Sequence, residues 1–456
     1  MLTLRACSKI VVTATVRKSN AGLKSYAEGG GLMLGLFERM GATWKVDGIP
    51  NDFSFGEIEP DFDRMGPYLE EAMERVPITL NTGVKKFFCG PESFTPDGSP
   101  IVGETPELKN YYVAAGLNSV GILTGGGIGK LVASWINEKC APRDFDVTGI
   151  NVDRFHDYQR NPKYRADRIG EMLGETYKVH YPDHGLKTCR DVKKSPLHSQ
   201  MVAQNAYFKN VSGWESPAWF APAGTIPEIK EHHFGRQNFF PFWESEHHAC
   251  RNAVALFDMS FMSKFLVCGS DAGSFLNHLS TANVDGDSGK ITYTQWLNAH
   301  GYMEADLTII KITDEKFLVV ATDTMHNHVL THMKRHLTNQ EHVFVSDVTN
   351  SYAQINLQGP NSRDLLQTIT SYDLDNFPFR SAAELDIGYG RALCTRITYV
   401  GELGYELFIP TEFAHHVYDT ITNAGENFQL KHAGLKALSS LRMVRECITN
   451  NLSFCS

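Results

Sequence analysis

Apolar and polar positions along the first 145 residues follow two different periods, and these predict the local structure. Alternation at every second position predicts strands at 31–38, 84–90 and 110–117. A helical period predicts a helix over 61–75, which Pro77 stops. A second predicted helix follows the stretch GGGIGK and ends near Glu138. This part of the chain therefore contains both helices and strands.

Farther along, short strands and helices alternate from residue 243 onward, which predicts a separate α+β domain. The predicted strands are 264–269, 292–297, 307–312, 316–321, 343–348 and 354–358, with a hairpin over 391–409. The predicted helices are 244–255, 272–281, 326–337, 362–369, 412–424 and 433–445. Between 146 and 230 the chain is polar and aromatic with few periodic segments, which indicates a connector.

Composition limits the classes of function. At 456 residues the chain can bury two or three cores, and 42% hydrophobic with 21% charged residues is typical of a soluble globular protein. A net charge of -9 argues against a nucleic-acid partner, which would require clustered Lys and Arg. No apolar run approaches the roughly 20 residues of a membrane span. Nine scattered cysteines without C-x-x-C indicate a reducing compartment.

The N-terminal 27 residues contain basic residues, Ser and Thr, and the first acid is Glu28. This bias is typical of a mitochondrial presequence, although an arbitrary start is the alternative. The predicted location, a mitochondrial matrix, depends on the first interpretation.

The stretch GGGIGK, from Gly125 to Lys130, is not a phosphate-binding P-loop. Thr124 and Leu131 stand where that motif requires a glycine and a hydroxyl. A strand YYVAAGL, a turn over 118–127 and a following helix would instead aim backbone N–H groups at one point, which suits an anion or an electron-rich carbonyl. A closely packed structural turn is the alternative.

Several segments in this region resemble the sarcosine and dimethylglycine dehydrogenase family. Residues 89–136, from CGPESFTPDGSP to LVASWI, resemble the end of its flavin domain, and DRFHDYQRNPKYRADR and GWESPAWF resemble its middle segment. The resemblance implies an FAD site, near which the loop of Thr95 and Asp97 would lie. We expect Lys130 to face the solvent, because a cation in the first turn of a helix opposes the helix dipole. The residues implied to line the flavin are Ser119, Val120, Gly121, Ile122, Gly125, Gly126 and Gly127.

Four later motifs resemble, in order, the folate-binding aminomethyltransferase domain fused to that flavin domain: LFDMSFMSKFLVCG, ITYTQWLNAHGYMEADLTII, INLQGPNSRDLL and ITYVGELGYELFIP. The resemblance implies tetrahydrofolate as a second cofactor. It implies a pterin-facing Tyr293, a carboxylate of Asp306 near the reacting nitrogen, a polar contact from Thr308 and a pterin-binding Glu406. Ala305 replaces the first of two acids usual in stand-alone aminomethyltransferases, which points away from glycine cleavage.

The expected organisation is a partial FAD-dependent amine oxidoreductase domain, a connector and an incomplete aminomethyltransferase-like domain. The expected bounds are 28–145, 146–230 and 231–445, with 1–27 unmatched or a presequence and 446–456 an unmatched tail. No pyrophosphate-binding βαβ unit precedes Gly29, and the second folate subdomain does not follow ALSSLRM. We therefore expect a chain incomplete at both ends, with no assigned catalytic residue.

The implied reaction is oxidation of a small N-methyl amine, with hydride passing to the flavin and the one-carbon unit to tetrahydrofolate. We expect this activity to be impaired in a chain of this extent. Two alternatives stay open: a non-catalytic protein like the regulatory subunit of pyruvate dehydrogenase phosphatase, and a folate-binding module alone.

His328, His332 and His336 recur every four residues and would share one face of a helix. Such spacing can bind zinc, but a catalytic site also needs an organised second shell. A solvated helix face is the favoured interpretation, so no metal site is expected.

Overall fold

The protein divides into two compact units in a computed structural model that describes residues 4–12, 25–28, 31–35 and 37–444. The first unit contains the described residues up to His180 together with Leu186–Cys189. The second contains Tyr181–Gly185 and the described residues from Arg190 onward. The predicted tail at 446–456 lies outside the described residues, as do 1–3 and 13–24 of the predicted presequence.

The first unit combines two small sheets with three helices. Its strands are Leu4–Val12 (β1), Ser25–Glu28 (β2), Gly31–Gly35 (β3), Val84–Glu92 (β4), Ile101–Glu104 (β5) and Tyr112–Ala115 (β6). Its helices are Phe62–Arg75 (α1), Gly121–Glu138 (α2) and Pro162–Glu175 (α3). An antiparallel sheet has the order β2-β3-β1-β4, and β5 pairs with β6. Asp61 caps α1 by accepting a hydrogen bond from the Arg64 amide at 3.1 Å.

The second unit contains the remaining fourteen strands and seven helices of the described chain. Its strands are Lys193–Lys194 (β7), Ala206–Val211 (β8), Trp214–Phe220 (β9), Val254–Asp258 (β10), Ser263–Cys268 (β11), Ile291–Leu297 (β12), Met303–Thr313 (β13), Lys316–Ala321 (β14), Phe344–Asp347 (β15), Tyr352–Gln358 (β16), Ala382–Ile387 (β17), Gly390–Thr395 (β18), Gly404–Pro410 (β19) and Leu430–His432 (β20). Its helices are His198–Ala203 (α4), Phe240–Asn252 (α5), Ala272–Leu279 (α6), His326–His336 (α7), Ser362–Gln367 (α8), Ala414–Gly425 (α9) and Leu435–Val444 (α10).

Two large sheets organise this second unit. One has six strands in the order β17-β18-β19-β16-β10-β20, and the other has five in the order β12-β13-β14-β11-β15. Val320 and Leu318 of the five-stranded sheet share a hydrophobic cluster with Phe408 and Leu393 of the six-stranded sheet. We call the space between these facing surfaces the inter-sheet layer. Because side chains alternate along a strand, the opposite surfaces of the two sheets pack against helices.

The start of α2 differs from the predicted turn over 118–127. The helix begins at Gly121, so GILTGGG forms its first turns rather than a loop. The Thr124 amide and hydroxyl both donate to the Val120 carbonyl, at 3.0 and 2.9 Å. Leu131 and Trp135 farther along the helix pack against Val102 of β5. The burial of these two side chains offsets the poor helix propensity of the glycines. A prediction from the glycines alone therefore places a turn where the helix begins.

Other elements also depart from the predicted bounds. The helix predicted over 244–255 is α5, which starts and ends earlier, because Val254–Asp258 is a buried strand paired with β16. The connector holds an unpredicted helix, Pro162–Glu175, and the buried strand Trp214–Phe220. The predicted strand 31–38 is described as a strand over Gly31–Gly35 only.

Candidate functional site

In the first unit, the predicted flavin residues lie in the turn before α2 and in its first two turns. Gly116, Asn118 and Ser119 all have positive φ angles, of 64°, 48° and 65°. Asn118 holds this tight turn because its Oδ1 accepts from the Thr95 amide at 2.9 Å and its Nδ2 donates to the Gly116 carbonyl at 2.7 Å. The loop of Thr95 and the turn before α2 are therefore fastened to each other.

The N-terminus of α2 presents backbone donors. Val120 is the N-cap residue and supplies no side-chain hydrogen bond to the first turn. The first amides of a helix lack intrahelical acceptors and carry the positive end of its dipole. Ser119 and Val120 directly precede this end, and Gly121 and Ile122 form it. The geometry is suited to an electron-rich group of a ligand.

Side-chain packing separates the glycines of this segment into two kinds. A Cβ at Gly121 would lie 3.1 Å from Leu117 Cδ1, so Gly121 permits close packing within the turn. A Cβ at Gly125, Gly126 or Gly127 would meet no atom within 4 Å. Ile122 beside them is fully exposed. Within the described part of the chain these glycines and Ile122 form an open surface.

Two further residues of this region are Asp97, whose loop is predicted to lie near the flavin, and Lys130, which is predicted to face the solvent. Asp97, in the loop of Thr95, forms an ion pair with Arg154, with 2.6 Å between Oδ2 and Nε. Lys130 is exposed and lies over the Phe145 ring at 5.9 Å from its centre. Neither side chain is directed to the amides at the start of α2 by these contacts.

In the second unit, three of the four predicted folate residues lie side by side on β12 and β13. Tyr293 pairs with Thr308 across the two strands, and Gln295 pairs with Asp306. The Tyr293 hydroxyl donates to Asp306 Oδ2 at 2.9 Å. Burial, and next the charge of Asp306, raise the pKa of Tyr293 to about 12. Tyr293 therefore stays a neutral donor that fixes the orientation of the carboxylate.

Glu406, the fourth predicted folate residue, lies on β19 of the facing sheet. Asn356 on β16 pairs with it in register, and Asn356 Nδ2 donates to Glu406 Oε1 at 2.8 Å. Gln354 Nε2 approaches Glu406 Oε2 at 3.5 Å. Burial raises the pKa of Glu406 to about 7, although the Asn356 hydrogen bond and Lys264 oppose that rise. One carboxylate oxygen is thus held by an amide and the other is weakly contacted.

The strand registers direct these residues toward the same space. Thr308 pairs with Val320, and Glu406 is two residues from Phe408 on its strand. Val320 and Phe408 both belong to the cluster that fills the inter-sheet layer. Since alternate residues of a strand point to one face, Thr308 and Glu406 face the inter-sheet layer.

Three polar residues of this layer were not predicted from the sequence. They are Gln354 and Asn356 on β16 and Lys264 on β11, all fully or almost fully buried. A signal was available, because QINLQ places amides at alternate positions, 354, 356 and 358, in a strand that is otherwise apolar. Polar residues repeated on one face of a buried strand require partners there.

Of the three α7 histidines, His336 is exposed, whereas His328 and His332 are partly buried and do not lie on the solvated face that the sequence favoured. His328 Nε2 lies 2.8 Å from Glu304 Oε2, and the His332 ring stacks on Trp296 with 5.5 Å between centres. The register of β12 and β13 shifts between Trp296 and Leu297, close to Glu304. Such an irregularity changes the direction of nearby side chains, and Glu304 here contacts α7. Burial lowers the pKa of His332 to about 4. Within the described residues, no group of three or more His, Cys, Asp or Glu side chains is arranged to hold a metal ion.

Comparison with known protein families covers almost the whole chain. Residues 197–449, more than half of the chain, match the GCVT N-terminal domain. Residues 10–135 match the FAD dependent oxidoreductase family, and 143–195 match the FAD dependent oxidoreductase central domain.

Individual relatives match more than nine tenths of this chain. Human mitochondrial sarcosine dehydrogenase is 31% identical over 93% of this chain and 50% of its own length. The chain belongs to the family of the GCVT N-terminal domain and is homologous to the sarcosine and dimethylglycine dehydrogenase family. A second relative, 4-methylaminobutanoate oxidase (formaldehyde-forming) of Paenarthrobacter nicotinovorans, is 37% identical over 91% of this chain and 50% of its own length. The mitochondrial regulatory subunit of mouse pyruvate dehydrogenase phosphatase is 30% identical over 91% of this chain and 48% of its own length.

These matches confirm the family resemblance and the predicted fold class. The family combines an FAD-linked amine dehydrogenase with a folate-binding aminomethyltransferase domain, and mixed helices and strands follow in that order here. The chain spans about half the length of the curated relatives it matches. In the described part of the chain, no helix combines the length and the apolar character that crossing a membrane requires.

Proposed function

We propose that this protein acts in the oxidative N-demethylation of a small N-methyl amine, as sarcosine dehydrogenase does, with the one-carbon unit passing to tetrahydrofolate. The observation that carries the proposal is the pair of acceptors in the second unit: Asp306, oriented by Tyr293, and Glu406, oriented by Asn356. A reduced pterin carries several N–H donors, which require acceptors when they are buried.

In the first unit, we propose that the start of α2 holds the flavin. FAD, when bound, supplies the hydride acceptor for amine oxidation. The amides of Gly121 and Ile122 would donate to the electron-rich edge of its ring system, where the helix dipole stabilises negative charge. The open backbone at Gly125, Gly126 and Gly127 would allow the ring to approach without meeting a Cβ. Ser119 and Val120 would contact it from the preceding turn.

In the second unit, Tyr293 and Thr308 would contact the pterin, and Asp306 would lie near the nitrogen that receives the one-carbon unit. Glu406 would accept pterin N–H groups through the oxygen that Asn356 leaves available. Carrying both cofactors in one chain would raise the effective concentration of the acceptor for a reactive product.

Binding of tetrahydrofolate to the purified protein tests this assignment. We expect tetrahydrofolate to raise the unfolding temperature, and Glu406→Gln to weaken its binding by at least about tenfold, which is typical for loss of a charged hydrogen bond. Asp386→Asn is the matched control, because this exposed carboxylate on β17 pairs with Arg391 at the surface. Equal loss of affinity in both variants, or no binding to the unmodified protein, would contradict the folate assignment.

Flavin and substrate are tested separately. The purified protein should show flavin absorbance, which sarcosine or dimethylglycine should bleach in the absence of another electron acceptor. The one-carbon unit should then be recovered as the methylene derivative of tetrahydrofolate, and only when tetrahydrofolate is added. The choice between the two amines is decided by which of them bleaches the flavin at the lower concentration.

A second candidate function is a regulatory one, which the relative from pyruvate dehydrogenase phosphatase favours. In that case the purified protein would lack flavin and would turn over no amine, whatever its affinity for folate. Folate binding without flavin would instead indicate a folate-binding module.

We also propose a mitochondrial matrix location, because the mammalian relatives are named mitochondrial. Fractionation of cells expressing the tagged full-length protein tests this location.

A further inference from the structure

Lys264 on β11 is a lysine with no exposed surface. Its ammonium nitrogen donates to the carbonyls of Met262 at 2.8 Å and Ser260 at 3.1 Å, which belong to the turn that leads into its own strand. Lysine is almost never fully buried unless it is paired, and carbonyl oxygens alone do not neutralise its charge. Its position therefore needs an electrostatic explanation.

The direction of the side chain follows from the strand register. Lys264 pairs with Val320 on β14, so the two side chains lie on one face of the five-stranded sheet. Val320 packs in the inter-sheet layer together with Phe408 of β19. Glu406 precedes Phe408 by two residues and lies on the same face of its strand. Lys264 and Glu406 thus enter the same layer from opposite sheets.

The charged groups around this pair come from several strands. Asp258 on β10, Glu406 on β19 and Asp347 on β15 all act on Lys264, and each favours its charged form. Ser260 and Ser195 donate hydrogen bonds to Asp258, and His326 pairs with Asp347 at 3.0 Å. Asp258 and Asp347 therefore each have polar partners other than Lys264.

Glu406 itself is surrounded mainly by neutral groups. Asn356 donates to it, and the buried Cys394 thiol on β18 stays neutral because burial raises its pKa. Lys264 is the cation that acts on Glu406 and favours its ionised form. Without Lys264, the Glu406 carboxylate would lie beside the apolar cluster of the inter-sheet layer, and the Asn356 amide would be its main hydrogen-bond donor.

We propose that Lys264 is a positioning residue for the folate site, whose ammonium favours the ionised form of Glu406, the form that accepts N–H donors from a reduced pterin. This inference rests on the proposed folate-binding function of the second unit. Lys264 acts through Glu406 and does not itself contact the ligand.

The titration behaviour of the two groups is consistent with this role. Burial raises the pKa of Glu406 to about 7 and lowers the pKa of Lys264 to about 7. Near neutral pH the carboxylate is therefore balanced between its two forms, and the positive charge of Lys264 favours the ionised one. Since only the ionised form accepts two N–H bonds, binding should strengthen as the pH rises through about 7.

Two substitutions with opposite electrostatic effects test the proposal on the full chain. Lys264→Met removes the charge and should move the pH midpoint of tetrahydrofolate binding upward by about one unit or more. Lys264→Arg keeps a positive charge at every accessible pH and should move the midpoint downward. Structural damage would weaken binding in both variants but would not shift the two midpoints in opposite directions. Affinity is measured by calorimetry from about pH 5 to about pH 9, with Glu406→Gln reporting any titration of the ligand itself.

The outcomes are distinguishable from failure of the proposed function. If the unmodified protein does not bind tetrahydrofolate at any pH, the folate function falls and this inference falls with it. If it binds and both variants keep its midpoint, the folate function stands and the role of Lys264 is wrong. If the methionine variant does not fold, the arginine variant decides alone: a lowered midpoint supports the role, and an unchanged midpoint overturns it.

Discussion

Replacing Gly126 with alanine is expected to stabilise the first unit and, at the same time, to weaken flavin binding. Gly126 lies in the second turn of α2 and is exposed, and a Cβ there would meet no atom within 4 Å. Alanine exceeds glycine in helix propensity by roughly 1 kcal/mol, because glycine loses more backbone freedom on folding. Without a ligand, nothing in the described surroundings opposes that gain.

A gain of about 1 kcal/mol raises the ratio of folded to unfolded molecules about fivefold. For a unit of this size it corresponds to an increase in unfolding temperature of roughly 2–4 °C. Hydrogen exchange of the α2 amides measures the effect without assuming that both units unfold together. Gly103→Ala is the control of opposite sign, because its φ is 125° and a Cβ would lie 2.6 Å from Asn151 Oδ1 and 2.9 Å from Trp135. It should destabilise the same unit by about 1–3 kcal/mol.

The functional part of this prediction depends on the proposed flavin contact. A methyl group at Gly126 would stand on the surface that the ring is proposed to approach, so flavin affinity should fall at least about tenfold. Slower α2 exchange together with unchanged flavin affinity would refute the proposed approach at this glycine. Faster exchange in the alanine variant would refute the structural reasoning itself.

Two further predictions concern the second unit. Gly434→Ala should destabilise it by about 3 kcal/mol or more, seen as a lower urea midpoint, because a Cβ would overlap the backbone of Ala218 and Trp219. His332→Phe should reduce the loss of stability in acid. The pKa of His332 is about 4 when folded and about 6.5 when unfolded, so the stability linked to its neutral form is present above pH 6.5 and declines as the pH falls through 4. Phenylalanine keeps the stack on Trp296 without titrating. If the stability of the unmodified protein and of the variant falls equally in acid, protonation of His332 does not contribute to the loss.

The amino-acid sequence determined those features that depend on local periodicity and on ordered motifs. The helix Phe62–Arg75 and the strands Val84–Glu92 and Lys316–Ala321 lie close to their predicted bounds, because each has a strong period and clear stop signals. The family was recognisable for a related reason: several specific motifs occur in one order. The sequence also contained the four residues proposed for folate, although it could not show that Tyr293 donates to Asp306.

Tertiary structure alone decided which residues share a space. The start of α2 at Gly121 depends on burial of Leu131 and Trp135 ten or more residues later, and the strand Val254–Asp258 depends on pairing with a strand about a hundred residues away. Lys264 and Glu406 face one layer because two sheets pack together, and no local period encodes that packing. Local preference contributes tenths of a kcal/mol per residue, whereas burying one large side chain contributes about 1.5–3 kcal/mol. Long-range burial therefore overrides the local pattern wherever the two disagree.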